Sequence, residues 1–167
     1  NQGVDKIQIK LFNKGDFESD FAGYWASEEN TIYILSDQTL EDAVSTLLFE
    51  ALRGKQEKSK LSFWTEAGKG KFGRDEYARK QEEFGYEVVR QHHMIAAGAV
   101  ADGKWNVGTD SYKATLDGDG KTFDGYFKSI DTPTQGQGKD DTHPGFHRKY
   151  WDKNYKAAWE KANPPQP

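Results

Sequence analysis

All four histidines of this 167-residue chain come in pairs, His92-His93 and the two ends of His143-Pro144-Gly145-Phe146-His147. A spacing of four places two imidazoles on neighbouring positions of one helix face, where they can share a metal ion. Pro144 is compatible with that spacing when a helix begins there, with Asp141 or Thr142 as its cap. A surface pair at a helix start is the competing reading. His92 falls in the middle of an apolar stripe that reads Tyr77, Gln81, Phe84, Gly85, Val88, His92, Ile95, Ala99, and His93 lies off its edge. Gln81 on that stripe, with Glu83 and Glu87 on its flank, forms either a satisfied polar network or the lining of a cleft. The chain has no cysteine, so thiolate metal sites are excluded and a zinc site must draw on His, Asp or Glu. Glu50, at the margin of the apolar face of an earlier helix, is a third candidate; its bland alternative is a solvated helix carboxylate. The run from Asp117 to Asp124 resembles a calcium loop but has Lys121 and Lys128 where oxygen ligands belong, so a glycine-rich hairpin is expected there.

These residues need elements to position them. Residues 4–12 alternate, with Ile7, Ile9 and Leu11 opposed to Lys6, Gln8 and Lys10, which predicts a half-buried strand. A second strand is expected over residues 31–36. Thr39 followed by Leu40-Glu41-Asp42 signals a helix start. The face Leu40, Val44, Leu47, Leu48, Ala51, Leu52 then carries that helix to Gly54. Residues 55–73 read as a linker with Leu61, Phe63 and Trp64 as anchors. The longest helix follows over about 74–101, and the two helices are expected to pack, with Leu47, Leu48 and Ala51 against Phe84 and Val88 and Gly85 at the crossing. Short strands are expected at 112–116 and 122–127, then a helix over about 146–162 presenting Trp151, Tyr155, Ala158 and Ala162.

Aromatics make up 14% of the residues, enough for a core although the hydrophobic fraction is only 35%. The length suits one domain, residues 1–167. A net charge of -4 with interspersed signs argues against nucleic acid as a partner. No apolar run approaches a membrane span. The absence of cysteine fits a secreted bacterial protein.

The order of strand Asn30-Thr31-Ile32-Tyr33-Ile34 and capped helix Leu47-Leu48-Phe49-Glu50-Ala51-Leu52 resembles the entrance to a zincin-type metallopeptidase. It is similar to a group of uncharacterised bacterial metallopeptidase-like domains, in which a later long helix carries a Tyr-Ala-Arg, Glu and His-His run. Here that run is Tyr77-Ala78-Arg79, Glu83 and Glu87, and His92-His93. The resemblance covers about residues 31–100. It implies an α+β domain of zincin-like plan, with a small sheet, two packed long helices and a C-terminal aromatic helix. It also implies a secreted hydrolase of degenerate zinc-peptidase type, a toxin or effector, acting on a protein, peptide or cell-wall substrate and met by a cognate inhibitor protein. Phe49 and Arg53 stand where the family's helix carries its histidines. Either the ligands come from elsewhere, His92 or His93 with His143 or His147, and Glu50 is the base, or the fold is kept without the chemistry. The alternative is a non-catalytic protein- or glycan-binding module using Trp25, Trp64 and Trp105.

Overall fold

The computed structural model describes residues 6–16, 22–103 and 118–165. Their contacts fall into two compact units, Asn1–Glu57 with Val88–Thr109, and Lys58–Glu87 with Asp110–Pro167. Helices and one three-stranded sheet together give the α+β class that the sequence predicts.

The first unit holds the sheet. Strand β1 (Gln8–Phe12) pairs in parallel with β3 (Thr31–Leu35), and β2 (Gly23–Ala26) pairs antiparallel on the other side of β3. Helix α1 (Leu40–Lys55) starts where Thr39 accepts a hydrogen bond from the Asp42 N–H, the cap expected from the sequence. It lies on β2 and β3. Ile32 and Ile34 are buried, contributing roughly 1.5–3 kcal/mol each. Gly23 permits the close approach: a Cβ there would sit 2.5 Å from the Thr46 methyl. Gly54 does not end α1, which continues to Lys55; a Cβ at Gly54 would come within 3.1 Å of the Trp25 ring. A larger residue there would need the Trp25 ring to shift by a few tenths of an ångström.

One expectation for β1 fails. Ile9 and Leu11 pair with Ile32 and Ile34, yet Ile7, Ile9 and Leu11 are all exposed and only Phe12 of the strand is buried. Alternation identifies which side chains share a face; it carries no information on how far the covering helix reaches.

Helix α2 (Glu57–Gly68) occupies the segment read as a linker. It buries Phe63 and Ala67, four residues apart, in the core of the second unit with Tyr77 and Trp151. Helix α3 (Arg74–Ala101) gives its first half to this unit and its second half to the other. Gly85 is not at a helix crossing, since a Cβ there would meet nothing within 4 Å. The Phe84 ring packs on Phe63 instead, and α1 meets α3 at His92. Gly70, at φ +78°, lies so close to Ala158 that a Cβ would be 2.4 Å from its carbonyl oxygen.

The strand expected over 122–127 is instead helix α4 (Phe123–Ile130), capped by Thr122, whose hydroxyl accepts from the Gly125 N–H. Its Phe123 and Tyr126 pack on Tyr86. The strand expected at 112–116 lies outside the described residues. The C-terminal aromatic helix is two helices, α5 (His143–Asn154) and α6 (Lys156–Ala162), which meet at Tyr155.

Candidate metal centre

Helix α5 begins as the histidine spacing requires. Thr142 caps it by accepting from the Gly145 N–H at 3.1 Å, and Pro144 sits in the first turn, where its missing N–H leaves no helical bond unmade. His143 and His147 therefore lie on one face of α5. They converge on Glu82 of α3, a residue that the sequence reading passed over in favour of Glu83 and Glu87.

Glu82 is 2% exposed. His143 Nδ1 donates to its Oε1 at 2.6 Å, and His147 Nε2 lies 3.5 Å from the same oxygen. The three ligand atoms all fall within 4.8 Å of one another, and among the described residues this is the one such group of three. Tetrahedral zinc with bonds near 2.0–2.1 Å separates neighbouring ligand atoms by about 3.3 Å. The His147–Glu82 separation matches that already, and the His143–Glu82 contact must open by about 0.7 Å.

Environment divides the two imidazoles. The hydrogen bond and charge of Glu82 hold His143 above the usual histidine range against a smaller opposing effect of burial. Burial pushes His147 below it, aided by the charges of His143 and Lys60 and opposed by Glu82. His147 thus keeps a free lone pair for a metal, while His143 holds a proton that a metal must displace.

A network anchored on α5 fixes its rotation. Arg148, the residue after His147, is 1% exposed. Its Nη1 and Nη2 donate to the two carboxylate oxygens of Asp131 at 2.6 and 2.7 Å, and its Nε donates to Asp75 at 2.6 Å. Such a fork sets geometry as well as energy. Arg74 adds bonds to Asp140 and Asp152.

Beside the histidines is an open pocket of about 240 Å³, lined by Trp64, Tyr77, Gln81, Phe146, His147 and Tyr150. Two residues named from the sequence, Tyr77 and Gln81, thus border the candidate centre, and Gln81 Nε2 donates to the Tyr77 hydroxyl at 3.0 Å. Burial pushes the Tyr77 phenol well above its ordinary value, so it stays neutral. Glu83 is exposed and pairs with Lys80, and Glu87 is half-buried on α3.

The remaining candidates belong to the first unit. Glu50 is 3% exposed; its Oε2 accepts from the Trp25 backbone N–H at 3.0 Å, and Arg53 lies 3.3 Å from Oε1. His92 is buried, as its place in the stripe requires. Its partner is Ser45, with Nε2 3.0 Å from the hydroxyl and 3.1 Å from the carbonyl oxygen, and Phe49 meets the ring edge-on. Burial lowers its pKa. His93 is partly buried, its Nδ1 having no hydrogen-bond partner among the described residues.

No protein-family model, no curated protein and no solved structure matches the chain.

Proposed function

We propose that this chain is a metal-dependent hydrolase-like domain in which Glu82, His143 and His147 hold one zinc ion, and that it acts on peptide or related substrates. The observation that carries the reading is the buried Glu82 carboxylate facing two imidazoles from successive turns of α5. One carboxylate and two histidines are a zinc ligand set that leaves a coordination position open. Zinc there would supply a Lewis acid that polarises a substrate carbonyl and acidifies water. The chain's own residues do the rest. Glu82 supplies a buried negative charge. His147 stays neutral for binding, and the Arg148 fork holds both histidines in phase.

Relative to the zincin-like plan, this reading keeps the chemistry and changes the residues. The order β3–α1 supports that plan, but the Glu50 carboxylate accepts from Trp25 and pairs with Arg53, which suits a structural role. A second reading, a non-catalytic binding module, is favoured by the aromatic pocket at Trp64. Of its other candidate contacts, Trp25 is half-buried and donates to Glu57, and Trp105 lies outside the described residues.

Elemental analysis and zinc-dependent cleavage of a mixed peptide library separate the two. The protein is stripped with chelator and dialysed against zinc. One zinc per chain, lost in His143→Ala and His147→Ala, together with peptide cleavage that chelator abolishes, is the expected result. Substoichiometric metal in the wild type removes the hydrolase reading.

A further inference from the structure

The pocket beside His147 has a lining that selects its occupant. Four of its six residues are aromatic, Trp64, Tyr77, Phe146 and Tyr150, and the other two are Gln81 and His147. Among the described residues, no Asp, Glu, Lys or Arg lines it. An anionic group would therefore enter without a counter-charge, which disfavours it; a cation would rest on ring faces, and a lysine probe distinguishes that occupant. Its volume of about 240 Å³ is below the roughly 300–1,000 Å³ of sites that enclose a drug-sized ligand. It suits a single side chain. A sugar ring needs several directed polar partners, whereas the accessible lining is mostly apolar and the Gln81 amide nitrogen already donates to Tyr77. Aromatic rings, by contrast, gain from neighbours that present both faces and edges. Tyr77 and Tyr150 lie near-parallel, 9° apart with centroids separated by 6.4 Å. Phe146 of the lining is 68% exposed, with its ring turned 73° to that of His147.

We infer that this pocket is a specificity subsite that receives an aromatic side chain of a peptide, next to the bond brought to Glu82, His143 and His147. The inference rests on the metal-hydrolase reading for the position of the scissile bond, because His147 belongs to both the pocket and the ligand group. Ring binding itself requires no metal.

The test separates those two dependences. Trp64 lines the pocket, so tryptophan emission is followed while the chelator-treated protein is titrated with N-acetyl-phenylalaninamide, N-acetyl-leucinamide, N-acetyl-lysinamide or N-acetylglucosamine. Saturable binding of the phenylalanine compound, at least tenfold tighter than each of the others and at least tenfold weaker in Phe146→Ala, is expected. Phe146 is largely exposed, so that variant should fold; Tyr150→Leu, one turn further along the same helix, provides a second reading. Equal or tighter binding of the leucine, lysine or sugar probe overturns the inference, as does an unchanged affinity in both variants. The zinc-loaded protein is then given matched peptides that differ only in one Phe, Leu or Lys. Cleavage beside Phe, with a tenfold lower kcat/KM for the others, supports the subsite. Zinc-dependent cleavage with no such preference overturns it while leaving the proposed function intact. Selective ring binding in a protein that takes up no zinc has the reverse meaning: the pocket binds rings, the subsite role is overturned, and the proposed function fails with it.

Discussion

Glu82→Gln is the most informative single change, because it removes the one negative charge from the ligand group while keeping side-chain shape. Zinc that binds the folded chain and not the unfolded one adds stability by RT ln(1 + [L]/Kd), about 2.7 kcal/mol when free zinc is a hundredfold above Kd. For a chain of this length that corresponds to a rise in Tm of about 5–11 °C. Glu82 is 2% exposed and both imidazoles approach the same oxygen, so no water can replace its charge. Even partners outside the ligand shell alter metal affinity by about 10–100-fold, so loss of a ligand charge should cost at least the upper figure. At the same free zinc the variant is then only half saturated. The remaining stabilisation is about 0.4 kcal/mol, within a degree or two of no shift. The assay is thermal unfolding by circular dichroism with and without zinc, with isothermal titration giving Kd directly. A Glu82→Gln protein that keeps the full zinc-induced rise would show that the metal binds elsewhere.

Four further outcomes are expected. Asp131→Asn leaves Arg148 buried without its bidentate partner and should destabilise the protein by about 3 kcal/mol in urea unfolding, the low end for a broken buried pair because Asp75 remains. Burial raises the Asp131 pKa, but the Arg148 hydrogen bonds and charge outweigh it and hold the carboxyl below its usual range; the stability it adds is present above about pH 3.9 and is lost as pH falls through the depressed folded value. His92, whose pKa burial depresses, binds protons more readily in the unfolded state, so stability should decline as pH falls below about 6.5, and His92→Gln should flatten that slope in unfolding measured across pH. Glu50→Gln should weaken the protein by about 1–3 kcal/mol through its bonds to Trp25 and Arg53 and leave zinc stoichiometry at the wild-type value, whereas loss of cleavage at full stability would restore Glu50 as the base. Asp75→Asn, which touches no ligand, should weaken zinc binding about tenfold by calorimetry with little loss of stability, since Arg148 keeps Asp131.

What the sequence disclosed followed the strength of local signals. The Thr39 cap, the strand ending at Leu35 and the burial of His92 are set by neighbours within a few residues. Helix α2 was hidden because its two buried residues, Phe63 and Ala67, stand among lysines, serines and glutamates. Thr122-Phe123-Asp124-Gly125-Tyr126-Phe127 supports either period, and Tyr86 decides it by packing on Phe123 and Tyr126 and donating to the Gly120 and Lys121 carbonyls. Glu82 was missed because the row next to the stripe through Tyr77, Gln81 and Phe84 is buried as well. That row is Ala78, Glu82, Tyr86, spaced by four. An acid between Ala and Tyr at that spacing is the signal that was present, and it marks a carboxylate drawn inside for a reason other than packing.

The reason becomes clearer when the two helices are taken together. Asp75 and Glu82 are seven residues apart, so they share a face of α3 and stand roughly 10 Å apart along its axis. On α5 the partners run the other way: Arg148 takes Asp75, and His143, five residues earlier, takes Glu82. The helices are thus fastened antiparallel at two points. Arg148 is the stronger fastening, because it is buried and also gripped by Asp131, while His143 is mostly exposed. A hydrogen bond to an exposed imidazole contributes little on its own. It would not hold a carboxylate inside if α5 were free to turn, since a rotation of one residue, about 100°, would carry His147 away from Glu82. The guanidinium fork prevents that rotation without using either histidine. His143 and His147 are therefore left with nitrogen atoms directed at one carboxylate and committed to no bond that zinc could not replace, which is the condition a binding site must meet and a purely structural ion pair need not.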